Sequence, residues 1–471
     1  MFIGREKEME LLEELHSSNK FEYLVLYGRR RVGKTSLLME FSKAHPVIFY
    51  SAQAKNDSLN LSDFSKALQM HFSGSFFGAF SDWNAALNYL TSQVSDKRIT
   101  LIIDEFPFIA EENQTIKSII QHVIDHDWKE KSLFLILCGS SVSFMETEVM
   151  GAKSPLYGRS TSNLELVGFD YLQSASFFPL YTNEEKLLSY GILGGSPCYL
   201  AAFSDTATIE QNISRGILRM GSFLKDETQN LLKMELREPA VYNSIFEAIA
   251  TGSSRLNDIA QKIHEEQTKC SKYILTLKNM KLVDKVTPSG EKDSSRKTLY
   301  QITDNFFLFW YHFIFVNKSY YELLGDKEAA QEIYENLSEY MGQVFEKICT
   351  QYLVRLAKGK RLPFVPHTMG RWWGSNPNTR KEDDIDILAL DAHQRSAIFC
   401  ECKYRNRLFG MDEYQDFLNA TAIFTKPVNR FYYLFSKSGF TEAVRNQAQN
   451  DGVKLVGLDD LFLFDSPTKR E

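Results

Sequence analysis

The first 170 residues alternate short apolar runs with stretches of helical periodicity. Tyr23–Tyr27, Val47–Tyr50, Thr100–Ile103 and Leu133–Cys138 read as buried strands between those stretches. The alternation predicts a parallel sheet wrapped by helices. From residue 171 to 235 the pattern is helical and contains the cluster Gly194–Pro197 (GGSP). Between Pro239 and Thr303 it predicts three helices, then strands at Leu282–Val286 and Thr298–Ile302 around a polar tip, Ser289–Lys297. Residues 304–340 are aromatic-rich and helical, and the remainder returns to strands alternating with helices. An α/β multidomain chain is expected, divided at 1–170, 171–235, 236–303, 304–340 and 341–471.

At 471 residues, several domains are expected. Hydrophobic residues at 44% and charged residues at 24% exclude a disordered, collagenous or coiled-coil chain. The net charge of −6 excludes a histone-like polycation but leaves room for a local basic surface. The six cysteines follow no zinc or disulfide spacing, so a reduced, cytoplasmic setting is expected. The charged start MFIGREKEME is no signal peptide. The greasiest run, Phe306–Val316, falls short of the roughly 20 residues that span a bilayer. It reads as a buried helix, and no membrane association is expected.

Gly28–Thr35 (GRRRVGKT) fits the phosphate-loop pattern G-x-x-x-x-G-K-[ST], between a strand and a helix. Glycines let main-chain N–H groups turn onto phosphate oxygens, and the helix N-terminus adds its positive dipole end. Gly28, Arg29, Arg30, Arg31, Val32, Gly33, Lys34, Thr35 and Ser36 are therefore candidate ATP ligands. Lys34 should reach the β- and γ-phosphates, and Thr35 should bind Mg²⁺. The run Thr100–Glu105 (TLIIDE) ends a buried strand in acid. Asp104 is expected to hold Mg²⁺ through water, and Glu105 to act as general base on the attacking water. Ser140, at the end of the next strand, is a candidate to orient that water or sense the γ-phosphate. Arg159 is a candidate arginine finger, in cis or in trans; trans action would require a homo-oligomer.

Together, FIGREKE at Phe2–Glu8, the phosphate loop, LIIDE, SPLYGR at Ser154–Arg159 and GGSPCYL from Gly194 resemble the archaeal-type ATPases of the STAND branch of AAA+-related P-loop NTPases. The match covers about half the chain, with five motifs in the expected order. The resemblance implies a helical lid at 171–235 and a nucleotide-driven switch. It also implies roles for Arg5 near the adenine and for Pro197 on the lid.

The three helices and hairpin at 236–303 form a winged helix-turn-helix pattern. Its third helix carries Lys269, Lys272 and Lys278, with Lys281 beyond, and its wing carries Lys292, Arg296 and Lys297. These are candidate phosphate contacts, though such modules also serve as spacers.

Further on, DDIDILAL from Asp383 and AIFCECKYR from Ala397 alternate with period two around the turn Asp391–Ser396. Alternation puts Asp384 and Asp386 on one face and Ile385 and Ile387 on the other. A turn symmetric about His393 and Gln394 sets Asp386 opposite Glu401 and Asp384 opposite Lys403. Two facing carboxylates repel unless a cation lies between them; Mg²⁺, or Mn²⁺, suits all-oxygen ligands. Lys403 could orient water or stabilise developing charge. The arrangement resembles the PD-(D/E)xK core of restriction-endonuclease-like nucleases, with Ile385 where that motif has proline. GRWW at Gly370–Trp373 and SKSGF at Ser436–Phe440 extend the likeness over the last 130 residues or so. It implies a metal set of Asp386, Glu401 and Glu346, the last on the preceding helix. Arg355, Lys358, Lys360, Arg361, Arg371, Arg405 and Arg407 would supply a basic surface.

The expected function is thus ATP binding and hydrolysis coupled to action on nucleic acid, DNA before RNA, with a metal-dependent nuclease-like domain. The alternatives are a non-nucleolytic STAND-type switch and an ATP-regulated DNA-binding regulator.

Overall fold

The computed structural model describes residues 2–94, 97–292, 297–376 and 382–463. The chain divides into two compact units. The first holds Met1–Gly168 with Ser196–Cys198 and Asn279–Lys281; the second holds the rest. The segments expected as lid, winged helix and connector thus fall mainly in one unit with the C-terminal sheet.

In the first unit, β1 (Glu22–Tyr27), β2 (Val47–Ser51), β3 (Ile99–Asp104), β4 (Leu133–Gly139) and β5 (Ser162–Glu165) form a parallel sheet in the order β2-β3-β4-β1-β5. Both faces are covered, which is why the strands read as continuous apolar runs. Tyr23, Val25, Leu101, Ile103 and Leu135 enter one core with Phe64 and Leu68 of the helix Asp57–Ser73. Their strand neighbours Leu24, Leu26, Ile102, Phe134 and Ile136 enter the other, with Leu37, Leu38 and Phe41 of the helix Lys34–Ala44. β5 is a strand that the apolar pattern does not predict. Its sequence, Ser-Asn-Leu-Glu, is polar because it is an edge, paired only with β1.

In the second unit, helices Pro239–Ala250, Leu256–Lys262 and Gln267–Asn279 precede an antiparallel hairpin, β6 (Val283–Val286) and β7 (Leu299–Ile302). The apolar run is a buried helix as expected, Asn305–Phe309 continuing as a π-helix over Trp310–Phe315. A 33-residue helix, Asp326–Lys358, follows. The expected division between 340 and 341 falls inside it, because its buried Tyr340, Met341, Val344 and Phe345 continue one apolar stripe across that point.

The C-terminal sheet contains β8 (Thr368–Ser375), β9 (Glu382–Leu390), β10 (Ser396–Lys403), β11 (Asn429–Ser436) and β12 (Lys454–Gly457), in the order β12-β11-β10-β9-β8. β8, β9 and β10 are antiparallel neighbours. The crossover helices Met411–Thr421 and Glu442–Asp451 allow β10, β11 and β12 to run parallel. The β9–β10 ladder pairs Leu390 with Ala397 and Ile387 with Cys400, the register expected from the symmetric turn.

The expected alternation along β9 does not hold throughout. Ile385, Leu388 and Leu390 share one core, whereas the fully buried Ile387 lies outside it. A register shift between Gly370 and Trp372 is the cause: Asp386 and Ile387 of β9 stand against Arg371 alone. Such a bulge turns one residue pair and re-aims its side chains. Among the described residues, no helix is long and apolar enough to cross a membrane.

Candidate nucleotide site and acidic cluster

The phosphate loop leaves the carboxyl end of β1 and enters the helix Lys34–Ala44. Gly28 has φ +151°, and a Cβ there would collide with the Leu166 carbonyl oxygen, so only glycine fits. Lys34 is buried and donates from Nζ to the carbonyls of Gly28 (2.8 Å) and Arg29 (3.0 Å), curling the loop around its own amine. Burial pushes that amine below its ordinary value, against the opposing charges of Cys138, Glu105 and Asp104. Thr35 Oγ1 donates to Asp104 Oδ2 at 2.8 Å. Two residues 69 apart in sequence thus meet at the carboxyl edge of the sheet.

Glu105 follows with φ +52°, an uncommon conformation for a non-glycine residue and one that turns its side chain away from the strand direction. Its Oε2 accepts from Ser140 Oγ (2.8 Å) and Ser140 N–H (3.2 Å). Ser196 Oγ donates to the Arg31 carbonyl at 2.8 Å, and Pro197 Cγ lies 3.5 Å from where a Cβ on Gly33 would stand. Arg5 is buried with φ +74°. It donates to the carbonyls of Val32 (3.0 Å) and Val167 (2.6 Å) and pairs with Glu8. Arg5 therefore braces the loop from behind, a role its motif position alone does not reveal.

Arg159 lies elsewhere. It precedes β5, and Thr161 Oγ1 accepts the N–H of Tyr23 near the start of β1, which places Arg159 at the amino edge of the parallel sheet. The loop lies past Tyr27 at the opposite edge, about 15–20 Å away at the strand rise. Asp125 binds the Arg159 guanidinium through Nε and Nη2, at 3.1 and 2.7 Å. This corrects the expectation of a cis finger: Arg159 is out of reach of its own phosphate loop.

In the C-terminal sheet, the β9–β10 ladder ends at Ile387–Cys400, and beyond it Asp386 Oδ2 accepts the Cys402 N–H at 2.7 Å. Glu401 pairs with Lys403, and Arg371 pairs with Asp384. Glu346, on the helix Asp326–Lys358, faces the same charges. Burial, then Asp386, pushes its carboxyl up to about 8. Burial, then Asp386, likewise pushes Glu401 up to about 7. Four carboxylates thus share two cations, Arg371 and Lys403. All the donors are oxygens, which suits a hard divalent ion. Yet among the described residues no three His, Cys, Asp or Glu side chains are arranged to hold a metal. The expected triad of Glu346, Asp386 and Glu401 is thus not gathered around one point, and Lys403 pairs with Glu401.

Part of the expected basic surface is paired, while Lys358, Lys360 and Arg361 are exposed. Arg355 is bidentate on Asp170, and Arg405 and Arg407 both pair with Glu413. Of the helix and wing cations, Lys269 pairs with Glu265, Lys281 with Glu146 and Lys297 with Glu291. Lys272 and Lys292 are exposed. Arg296 lies outside the described residues.

Residues 2–203 match the family model of an ATPase domain predominantly from Archaea. Residues 310–415 match DUF234, described as archaeal and bacterial proteins of unknown function. An uncharacterized protein of Methanocaldococcus jannaschii, MJECL04, is 33% identical over 435 residues, 88% of this chain and 94% of its own length. The chain belongs to this archaeal ATPase family. A shorter relative from the same organism, an uncharacterized ATP-binding protein, is 51% identical over 41 residues, covering 9% of this ATPase and 70% of that protein. Among solved structures, the Walker-type ATPase of Pyrococcus abyssi is similar over 65% of this chain and 95% of its own, at 19% identity and a TM-score of 0.49.

The geometry of this ATPase fits Mg-ATP at the first site. It combines a glycine-only close approach, a buried lysine within the loop and a Thr35–Asp104 pair where the helix after the loop meets the end of β3. The structure also brings in side chains that motif reading passes over. Ser196 ties the GGSP cluster to Arg31, and Arg371 is the second cation of the acidic cluster. Arg371 was legible only as a surface charge, because its pairing with Asp384 depends on how β8 lies against the bulged β9.

Proposed function

We propose that this ATPase is a nucleotide-driven switch acting on nucleic acid, DNA ahead of RNA, and that its C-terminal acidic cluster cuts phosphodiester bonds. At the first site, Lys34 and the main-chain N–H groups of residues 28–36 would hold the phosphates. Thr35 and Asp104 would hold Mg²⁺. Glu105 would take a proton from the attacking water while Ser140 fixes its carboxylate. At the second, Asp386 and Glu401 would hold Mg²⁺ or Mn²⁺, which binds through one or two carboxylates with water and phosphate oxygens completing its shell. Bound there, the ion would polarise the phosphate and acidify its water. Lys403 would leave Glu401 and stabilise charge on the phosphate.

The observation that carries the nuclease reading is the convergence of Asp386, Glu401 and Lys403 where the β9–β10 ladder ends. The order helix, β8, β9, β10, helix, β11 and the position of Glu346 on the first helix support it.

The test is cleavage of labelled DNA and RNA in Mg²⁺ and Mn²⁺, with and without ATP. Cleavage by the wild type that disappears in Glu401→Ala is the expected result, and its response to Lys34→Ala reports coupling to ATP. Intact ATP turnover with no cleavage of any substrate would overturn the nuclease reading.

A second reading, a STAND-type switch that binds without cutting, has its own support. Lys403 pairs with Glu401, and Arg405 and Arg407 pair with Glu413. Duplex binding that survives Glu401→Ala, without cleavage, would favour it.

A further inference from the structure

Ser289 and Gly290, in the connection between β6 and β7, lie against the C-terminal sheet. The Ser289 N–H donates to the Arg371 carbonyl at 2.9 Å, on β8 opposite the bulge of β9. Ser289 Oγ donates to the Leu388 carbonyl at 2.7 Å, on the bulged strand. Gly290, at φ +84°, lies so close that a Cβ would stand 2.6 Å from Leu390 Cδ1. Ser289 therefore touches both strands beside the bulge, β8 through its main-chain N–H and β9 through its hydroxyl. Opposite that bulge, the Arg371 side chain pairs with Asp384, within the field of Glu346 and Asp386.

We infer that Ser289 is a positioning residue for the acidic cluster: its main-chain N–H holds the bulge that keeps Arg371 among the carboxylates. This deepens the cation-site reading above. With the tip seated, Arg371 supplies positive charge that a divalent ion would otherwise bring, so the two compete. When the tip is drawn away, as nucleic acid engaging the hairpin would do, the bulge loses its anchor. Arg371 then swings out, and the cluster takes up its cation. The hairpin thus reports its own occupancy to the site through one hydrogen bond and one side chain.

The key group is the N–H, so Ser289→Pro, which lacks it, is compared with Ser289→Ala, which keeps it. Hydrogen–deuterium exchange on the full chain reads the coupling without any metal. Ser289→Pro should speed exchange in peptides from β8 and β9, and Ser289→Ala, which gives up only the hydroxyl bond to Leu388, should loosen them clearly less. Unchanged exchange in Ser289→Pro overturns the inference. So does equal loosening by the two variants, which would mean that the hydroxyl or simple disruption is responsible.

Terbium luminescence then reads the consequence. Arg371→Ala should tighten Tb³⁺ binding by about tenfold, removing one nearby positive charge. Ser289→Pro should tighten it in the same direction, and the double variant should bind no tighter than Arg371→Ala. Additive effects overturn the route through Arg371. Tb³⁺ binding that persists in Asp386→Asn with Glu401→Gln would instead defeat the cation-site reading, and the exchange result would still decide the coupling.

Discussion

Ser140 grips the Glu105 carboxylate twice, from its hydroxyl at 2.8 Å and from its main-chain N–H at 3.2 Å, both on Oε2. Asp104, one residue earlier, is held by Thr35. Neighbouring acids on one strand end are thus assigned to different partners, one toward the loop and one toward β4. Glu105→Gln should lower ATP turnover by about 10²–10⁴-fold while leaving nucleotide affinity near wild type. Ser140→Ala should cost about tenfold, and Ser140→Thr, which restores a hydroxyl, should recover most of it. Turnover and nucleotide Kd measured on the same preparations check this. An Ser140→Ala enzyme with wild-type turnover would remove Ser140 from the site.

The loop's tightest constraint is at Gly28. Gly28→Ala places a methyl group on the Leu166 carbonyl in a conformation L-residues avoid. It should destabilise the first unit by about 2–4 kcal/mol and abolish nucleotide-induced stabilisation. Thermal melts with and without Mg-ATP read both effects. A wild-type melting curve would show that Leu166 yields easily.

The acidic cluster should make stability depend on pH. In the folded chain Glu401 keeps its proton to about 7, against an ordinary value of 4.5. Between those values the folded state binds more protons than the unfolded state, so stability falls as pH rises through that window. Denaturant unfolding should lose about 2 kcal/mol from this group between pH 5 and 8, and Glu401→Gln should make the profile shallower, leaving the slope that Glu346 contributes. Mg²⁺ at pH 8 should restore stability to the wild type and do nothing for Asp386→Asn with Glu401→Gln. A flat wild-type profile would mean that Lys403 fully compensates Glu401.

Glu413 restrains two arginines at once, Arg405 at 2.7 Å and Arg407 at 3.0 Å. Glu413→Gln keeps a side chain able to cap the helix Met411–Thr421 but releases both cations. Nucleic-acid binding should then tighten, and its salt slope should steepen by about 1–2, one per phosphate gained. An unchanged slope would place the nucleic-acid path elsewhere.

Much of this was legible in the sequence, and the exceptions have physical causes. The three inner strands of the first sheet, β1, β3 and β4, were visible because both faces are buried, and the edge strand β2 because Ile48 and Tyr50 alternate into the core. β5 was not, because an edge of Ser-Asn-Leu-Glu carries no apolar run. The β9–β10 register followed from turn symmetry alone, which needs no knowledge of the partner strand. The bulge opposite Arg371 could not be read that way, since it depends on how β8 pairs with β9. Arg159 showed the limit of motif order: its position in the chain suited a finger, but its partner Asp125 holds it at the wrong edge. Charge lists misled for a related reason, because a sequence shows each arginine and not the carboxylate that answers it.

The helix Asp326–Lys358 runs roughly 50 Å at its 1.5 Å rise. Along that length Tyr340 donates to the carbonyls of Gly191 and Asn305, and Lys347 donates to that of Ile302. Gln351 accepts the Tyr171 N–H, and Arg355 clasps Asp170. Segments nearly two hundred residues apart in the chain thus register on one rod. Such a rod makes melting all-or-none across the second unit. A fragment cut within it, for example to isolate the C-terminal sheet, would lose the helix that carries Glu346 as well as the partners that keep that helix folded. The smallest piece that could be handled alone is therefore larger than the sheet that holds the acidic cluster.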